Sequence, residues 1–224
     1  MNTRRERNRV VQRTRILAAA RERFSADGFD AVTMADVAET AGVARATVFN
    51  QFDSKGGLVA ALIDDVQGIY SEMLGAALQE EETSTPTLIV ALFEQMGIGI
   101  EADRSFYRGV FRGMAQAQIG LADESNHHSN EDRSDRRLTE LIDKGRARGD
   151  LVSSQSTESL AAAITSLVNG TITRWLYDDA TEPLVDRMRA AALVLLEPLG
   201  SPTATHDGPR PLLISAEILK GRES

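Results

Sequence analysis

The chain has 224 residues, of which 42% are hydrophobic and 26% are charged, a composition typical of a folded globular protein. The longest apolar run, residues 190–196, has seven residues, whereas a helix that spans a bilayer needs roughly 18 or more. There is no cysteine, which excludes disulfides and thiolate metal sites, and the arginine-rich start lacks the apolar run of a secretory signal. We therefore expect a cytoplasmic protein without a membrane span.

The net charge of −8 hides an uneven distribution of charge along the chain. Residues 1–60 contain ten basic and seven acidic side chains and carry +3, whereas the remaining 164 residues carry −11. Residues 1–16 alone reach +5. This division predicts a short basic segment that binds a polyanion, joined to an acidic body that does not.

The first sixty residues begin with two helical patterns. Apolar residues recur at helical spacing from Leu17 to Phe24, and the pattern stops before Gly28, because glycine readily adopts the left-handed conformation that ends a helix. Thr33 and Asp36 then form a Thr-x-x-acid pattern, in which the hydroxyl caps a backbone N–H three residues ahead. A second, short helix is therefore predicted to start at this threonine.

A third helix is predicted over residues 44–52, after a sharp turn at Gly42, with Val48 and Phe52 on its inner side. Two short helices joined by such a turn form a helix-turn-helix, whose second helix enters the major groove of DNA. An ordinary helical hairpin has the same pattern, but the location in the basic part of an acidic chain favours DNA binding. Four residues of the third helix suit this role: Arg45 for guanine, Asn50 for adenine or phosphate, and Ala46 and Thr47 for a thymine methyl group.

Four motifs in this segment occur together: Phe-x-x-x-Gly-Phe at 24–29, Ala-Gly-Val at 41–43, Thr-Val-Phe-x-x-Phe at 47–52 and Ser-Lys-x-x-Leu at 54–58. Together they resemble the N-terminal domain of the TetR family of bacterial transcriptional repressors. With the helical periodicity of the remaining chain, the resemblance implies an all-α fold. The expected domains are a DNA-binding domain at 1–60 with an arginine-rich arm at about 1–15, an effector-binding and dimerisation domain at 61–200, and a C-terminal tail at 201–224.

The resemblance also divides the expected DNA contacts into two groups. In this family the start of the second helix and the lysine that opens the fourth bind backbone phosphate, while the early residues of the third helix read bases. The phosphate contacts implied here are Thr33 and Lys55, and the base contacts are Arg45, Ala46 and Thr47, with Asn50 in support.

Two positions depart from the family pattern. The usual tyrosine is Phe49 here, which removes a hydroxyl that reaches phosphate and leaves the ring to pack on sugar or a thymine methyl group. The frequent capping serine is Ala44. The arm at residues 2–15 either extends the first helix along a phosphate strand or reaches into the minor groove, and the sequence leaves both alternatives open.

The remaining chain is predicted to form an acidic helical body. A long connecting helix extends from Leu58 to about Leu78, and Thr85 and Pro86 are expected to cap and open the next helix. Further helices are predicted at 87–102, 105–118, 134–148, 157–176 and 182–196.

Catalysis has no support in the sequence, because the motifs of acyl transfer, nucleotide binding and zinc hydrolysis do not occur in it. We expect no enzyme activity and no cofactor. His127 and His128 are adjacent, and neighbouring residues face two sides of a helix or strand, so we expect an exposed loop rather than a metal site.

The last two predicted helices have wide apolar surfaces. Burial within one subunit would account for them, but a two-fold four-helix interface is the better interpretation, and the resemblance points the same way. The expected interface residues are Leu160, Ile164, Leu167, Val168, Leu184, Met188, Ala191 and Leu195.

The resemblance further implies a small effector that binds between helices and prefers the conformation whose recognition helices are wrongly spaced for DNA. Pocket candidates, each with core packing as the alternative, are Phe93, Met96, Phe106, Phe111, Met114 and Trp175. We predict a homodimer that binds a palindromic DNA operator, most simply a repressor released by an unidentified small molecule. A helix-turn-helix protein without an effector is the alternative, and the sequence does not separate repressor from activator.

Overall fold

The computed structural model describes residues 4–120, 129–178 and 182–197, and the described residues contain helices and no strands. The predicted all-α class is confirmed. The helices of this described part are α1 (Arg4–Asp27), α2 (Met34–Thr40), α3 (Arg45–Gln51), α4 (Lys55–Gln79), α5 (Thr85–Glu101), α6 (Arg104–Gly120), α7 (Ser129–Arg148), α8 (Thr157–Tyr177) and α9 (Leu184–Leu196).

These helices divide into two compact units. The first contains α1, α2, α3, α4 as far as Asp65, and α6. The second contains α4 from Val66 onward, α5, α7, α8 and α9. The sequence predicted a division near residue 60 with all later helices in one domain, so the assignment of α6 to the first unit differs from that prediction.

The helix ends in the first unit follow from local chemistry. Gly28 and Gly42 have φ angles of 81° and 63°, and each ends a helix in the left-handed conformation that glycine tolerates. Thr33 caps α2 in a reciprocal capping box with Asp36. Ala44 caps α3 without any side-chain hydrogen bond, as its missing hydroxyl predicts.

Helix α6 belongs to the first unit because its first residues bind α1. Asp103, directly before α6, accepts a hydrogen bond from Ser25 Oγ at 2.8 Å and pairs with Arg21 Nε at 3.5 Å. The Arg21 guanidinium also lies 4.5 Å from the centroid of the Phe106 ring, within cation–π range. Ser25 and Asp103 are 78 positions apart in the sequence, so local periodicity could not reveal this pairing.

In the second unit, α5 packs against α9, α8 packs against both α7 and α9, and α7 also contacts α5. The start of α5 lies one residue earlier than predicted. Ser84 is its cap and accepts a hydrogen bond from the N–H of Thr87, while Thr85 is the first helical residue. Thr85 is fully buried and its N–H donates to Asp150 Oδ2 at 2.9 Å, which explains why the preceding hydroxyl takes the capping role.

Within residues 4–120, 129–178 and 182–197, no helix is both long and apolar enough to cross a membrane. The same described residues contain no group of three or more histidine, cysteine, aspartate or glutamate side chains that could hold a metal ion. His127, His128 and the predicted tail at 201–224 lie outside the described residues.

Candidate DNA-binding interface

Helix α3 has one side in the core and one side in solvent. Val48 is fully buried and Phe52, its C-cap, is 3% exposed, so both anchor the helix as the sequence predicts. The residues predicted to contact bases lie on the remaining surface: Arg45, Ala46, Phe49 and Asn50 are exposed and Thr47 is partly exposed.

Phe49 is the large apolar side chain that stands out on this surface, because 49% of it is exposed. The exposed half of this side chain gains no burial energy in the free protein. On a surface that also carries Arg45 and Asn50, the ring is available to the thymine methyl groups that the major groove presents.

Thr33, predicted to contact phosphate, is exposed, but its polar groups are already used. Its hydroxyl donates to Asp36 Oδ2 at 2.7 Å and accepts from the Asp36 N–H at 3.3 Å, while its own N–H donates to the same carboxylate at 2.7 Å. The backbone and hydroxyl hydrogen bonds from Thr33 hold the pKa of the Asp36 carboxyl below its ordinary value. A phosphate contact would therefore compete with the capping box.

Lys55, the other predicted phosphate ligand, is held against the turn between α1 and α2. Its Nζ donates to the backbone carbonyl of Phe29 at 2.5 Å and lies 4.3 Å from the centroid of the Phe29 ring. Partial burial lowers the pKa of the lysine, and the nearby Asp30 opposes this shift. An ammonium group has three donors, so this contact leaves capacity for a phosphate oxygen.

The arginine-rich arm is helical from Arg4 onward and continuous with α1, and whether it lies along a phosphate strand or reaches the minor groove stays a prediction. Three contacts join α1 to the helix-turn-helix. Gln51 Nε2 donates to the backbone carbonyl of Arg9 at 3.4 Å, the Arg13 guanidinium lies 4.8 Å from the Phe52 ring centroid, and Arg15 Nη2 donates to the carbonyl of Ala41 at 2.8 Å. The sequence indicated these arginines as charge and as an arm that contacts DNA, and it did not predict their contacts with the helix-turn-helix.

The six residues predicted to line an effector pocket divide between the two units. Phe93 and Trp175 are buried and Met96 is partly buried in the second unit, whereas Phe106 and Phe111 lie on α6 in the first. The side chain of Met114 lies outside the described residues. Trp175 Nε1 donates to the carbonyl of Glu182 at 3.0 Å, so its polar edge has a partner within the chain.

The second unit contains a charged pair that the sequence analysis did not predict, because it identified no buried charge. Glu94 on α5 is only 8% exposed, and its carboxylate accepts a hydrogen bond from Arg189 Nε on α9. The two residues are 95 positions apart, and no short-range pattern relates them.

The residues predicted at a dimer interface lie largely inside the protomer. Five are buried in the core of the second unit and three are partly exposed; the buried five are Leu160, Ile164, Val168, Leu184 and Met188, and the others are Leu167, Ala191 and Leu195. The opposite sides of the same helices carry exposed apolar groups, among them Tyr177, Leu193 and Val194, which are 43%, 43% and 72% exposed. A helix with two apolar sides has no sequence feature that says which one faces its own core.

A helix-turn-helix with an exposed second helix, located in a basic N-terminal segment and followed by a separate helical unit, defines a helix-turn-helix DNA-binding regulator. The family described as bacterial regulatory proteins, tetR family, matches residues 16–62. The transcriptional regulator TtgR of Pseudomonas putida is 27% identical over 177 residues, covering 73% of this chain and 80% of its own. The chain belongs to the TetR family of transcriptional regulators.

Solved structures share this fold along most of the chain. The FadR repressor of Thermus thermophilus, solved with lauroyl-CoA, superposes with a TM-score of 0.65 at 20% identity and covers 88% of this chain and 99% of its own. SmeT, the repressor of a multidrug efflux pump of Stenotrophomonas maltophilia, has a TM-score of 0.65 at 18% identity and covers 88% and 94%. Both share the N-terminal helix-turn-helix and the helical second domain.

Proposed function

We propose that this regulator is a homodimeric repressor that acts in the cytoplasm on a palindromic operator and is released by a small molecule. The observation that carries the proposal is the exposed apolar side of α8 and α9, located on the unit that lacks the DNA-reading helix. A two-fold axis through such a surface would present two copies of α3 to two half-sites, one helical turn or about 34–36 Å apart.

The surface of α8 and α9 has the composition of a subunit interface. Val194 and Leu193 are exposed on α9, and Tyr177 is exposed at the end of α8. Along α8, Gly170 is exposed, and a Cβ placed on it would meet no atom within 4 Å, so another helix could approach closely there. Aromatic and aliphatic residues in contiguous patches are typical of oligomer interfaces.

Dimer formation compensates for the small positive charge of the DNA-binding segment. Residues 1–60 carry only +3, which limits the affinity that one protomer gains from phosphate contacts. A dimer holds two half-sites at once, and its second binding event is intramolecular. We therefore expect the loss of dimerisation to lower the affinity for the operator more than the loss of any single phosphate contact.

Release by a small molecule is supported by the relatives. FadR of Thermus thermophilus was solved with lauroyl-CoA, and SmeT represses a multidrug efflux pump. In the second unit of this chain, the buried aromatic side chains Phe93 and Trp175 and the partly buried thioether of Met96 are the apolar groups that a ligand of low polarity would contact if it entered between the helices. A ligand acts as an inducer if it binds better to the conformation that fits DNA poorly.

The decisive experiment combines sedimentation with DNA binding. Val194→Arg places a charge on the proposed interface and should give monomers whose operator affinity is lower by about 100-fold or more. Val152→Arg is the matched control, because Val152 is also exposed, at 61%, but lies between α7 and α8. A Val194→Arg protein that still sediments as a dimer would contradict the assignment of the interface.

The repressor role and the release step need two further measurements. Deletion of the gene should raise transcription beside the genomic site that the protein binds, whereas an activator would give the opposite result. Addition of a panel of small molecules that includes lauroyl-CoA should identify one that dissociates the protein from this site. If no compound in a broad panel weakens binding, the alternative of a regulator without an effector gains support.

A further inference from the structure

The arginines of α1 contact the helix-turn-helix at both ends of the recognition helix. We infer that Arg13 and Arg15 are positioning residues, which fix the orientation of α3 through contacts within the first unit, rather than phosphate contacts of a basic arm. The inference rests on the DNA-binding role of α3 and adds to it the residues that hold this helix in place.

Arg15 acts at the turn that precedes α3. Its Nη2 donates to the carbonyl of Ala41, the C-cap of α2, at a distance of 2.8 Å. Carbonyls at a helix C-terminus lack partners within the helix, and a cation there also interacts favourably with the helix dipole. A hydrogen bond from a guanidinium is stronger and more directional than one from a neutral group. Arg15 therefore ties α1 to the last carbonyl before the turn.

The shape of the turn depends on the same contact. Gly42 has a φ angle of 63°, and its N–H and that of Val43 donate back to the carbonyls of Glu39 and Ala38. A Cβ on Gly42 would lie 3.2 Å from Arg15 Nη2. The glycine thus permits both the left-handed turn and the close approach of the guanidinium.

Arg13 acts at the other end of α3. Its guanidinium lies 4.8 Å from the ring centroid of Phe52, the C-cap of α3, and Phe52 is 3% exposed. One residue earlier, Gln51 Nε2 donates to the backbone carbonyl of Arg9 at 3.4 Å. Helix α3 has only seven residues and makes few backbone hydrogen bonds of its own, so contacts at its two ends determine how it is directed.

Substitution by lysine separates the two roles of an arginine. Lysine keeps the positive charge and still binds phosphate as a point charge, but it lacks the planar fork that reaches a carbonyl or stacks on a ring. A phosphate contact would largely survive Arg15→Lys, whereas a positioning contact, which depends on the fixed direction of the guanidinium, would be weakened. Specific binding requires α3 to be correctly oriented, and binding to random DNA depends mainly on charge.

The probe is a DNA duplex selected from random sequences by the wild-type protein, compared with a scrambled duplex of equal length. We expect Arg15→Lys and Arg13→Lys each to lower the ratio of selected to scrambled affinity by about tenfold, with an unchanged salt dependence of binding to scrambled DNA. Arg7→Lys, at an exposed position of the same helix, is the matched control and should keep the wild-type ratio.

Amide hydrogen exchange provides a second readout that does not involve DNA. Arg15→Lys should accelerate exchange at the Gly42 and Val43 amides, while the amides in the middle of α6 keep their wild-type rates. A general loss of folding would accelerate both groups equally and would overturn the positioning role.

The outcomes of the DNA experiment separate this inference from the function itself. If Arg15→Gln reduces affinity for both duplexes equally and lowers the salt slope by about 0.9, Arg15 is a phosphate contact and the inference is wrong. Unchanged affinity ratios in both lysine variants would also overturn it. If the wild-type protein selects no sequence at all, both the inference and sequence-specific DNA binding fail.

Discussion

Gly97 on α5 lies directly against the backbone of Val185 on α9. A Cβ added to Gly97 would be 2.8 Å from the Cα of Val185 and 3.1 Å from its nitrogen. Contacts shorter than van der Waals distance with backbone atoms cannot be relieved by rotation of a side chain. Helices α5 and α9 can therefore pack this closely only because position 97 has no side chain.

This close approach predicts that adding one methyl group at position 97 destabilises the fold. Gly97→Ala should lower the free energy of unfolding by about 1–3 kcal/mol, because the overpacking exceeds the gain in helix propensity. Gly57→Ala is the matched control, since a Cβ on this exposed residue of α4 would lie 3.8 Å from Ser54 Oγ, an ordinary contact, and should stabilise α4 by about 0.5–1 kcal/mol. Urea unfolding of both variants at one protein concentration tests the contrast, and equal effects would contradict the close approach.

The pair of Glu94 and Arg189 predicts that loss of Arg189 destabilises the fold more than loss of an exposed arginine. Arg189→Ala leaves a carboxylate that is 8% exposed without its cation, and we expect a loss of about 1–2 kcal/mol. Arg174→Ala is the control, because the Arg174 side chain is 81% exposed and its pair with Asp178 should contribute about 0–1 kcal/mol. Thermal unfolding should show the larger shift for Arg189→Ala, and Glu94→Gln should restore part of the stability lost in that variant.

Arg45 and Lys55 should differ in what they contribute to DNA binding. Arg45→Ala should remove the preference for the selected duplex and leave binding to scrambled DNA nearly unchanged, because its side chain reads a base. Lys55→Met should weaken binding to both duplexes alike and lower the salt slope by about one, since it removes a phosphate contact. Methionine keeps an apolar stem against the Phe29 ring, which limits the effect on folding.

Filter binding at several salt concentrations measures both quantities for Arg45 and Lys55. Equal losses of specificity in the two variants would contradict the division of roles. An unchanged salt slope in Lys55→Met would mean that the lysine serves only the turn at Phe29, to which its Nζ donates.

The Asp36 carboxylate should make the stability of the first unit depend on pH in acid. Its pKa is lowered in the folded protein by the hydrogen bonds from Thr33, so it stabilises the fold fully above the unfolded-state pKa of about 3.9. This contribution decreases as the pH falls through the lower folded-state pKa, because protonation removes the negative charge that strengthens the hydrogen bonds of the capping box. The difference in unfolding free energy between wild type and Asp36→Asn should therefore shrink between pH 5 and the acid limit. A difference that stays constant over this range would contradict the capping role of the charge.

Short-range chemistry explains why the sequence by itself predicted the helix-turn-helix. The capping box of Thr33 and Asp36 spans three residues, and the helix ends at Gly28 and Gly42 depend on the conformation of one residue each. The exposed side of α3 follows from the buried positions of Val48 and Phe52 within one helical turn. Each of these features involves residues at most four positions apart, which is the range over which a sequence pattern specifies structure.

Tertiary structure decided the features that depend on distant pairs. Arg15 and Ala41 are 26 positions apart, Ser25 and Asp103 are 78 apart, and Glu94 and Arg189 are 95 apart. The neighbouring sequence of an arginine in a basic segment is the same whether the side chain binds phosphate or a backbone carbonyl. Likewise, the spacing of apolar residues along a helix is the same whether they lie in a core or at an interface. Only the packing of the helices showed that Arg15 faces the turn before α3 and that Met188 lies within its own core, because burial is a property of the folded neighbourhood.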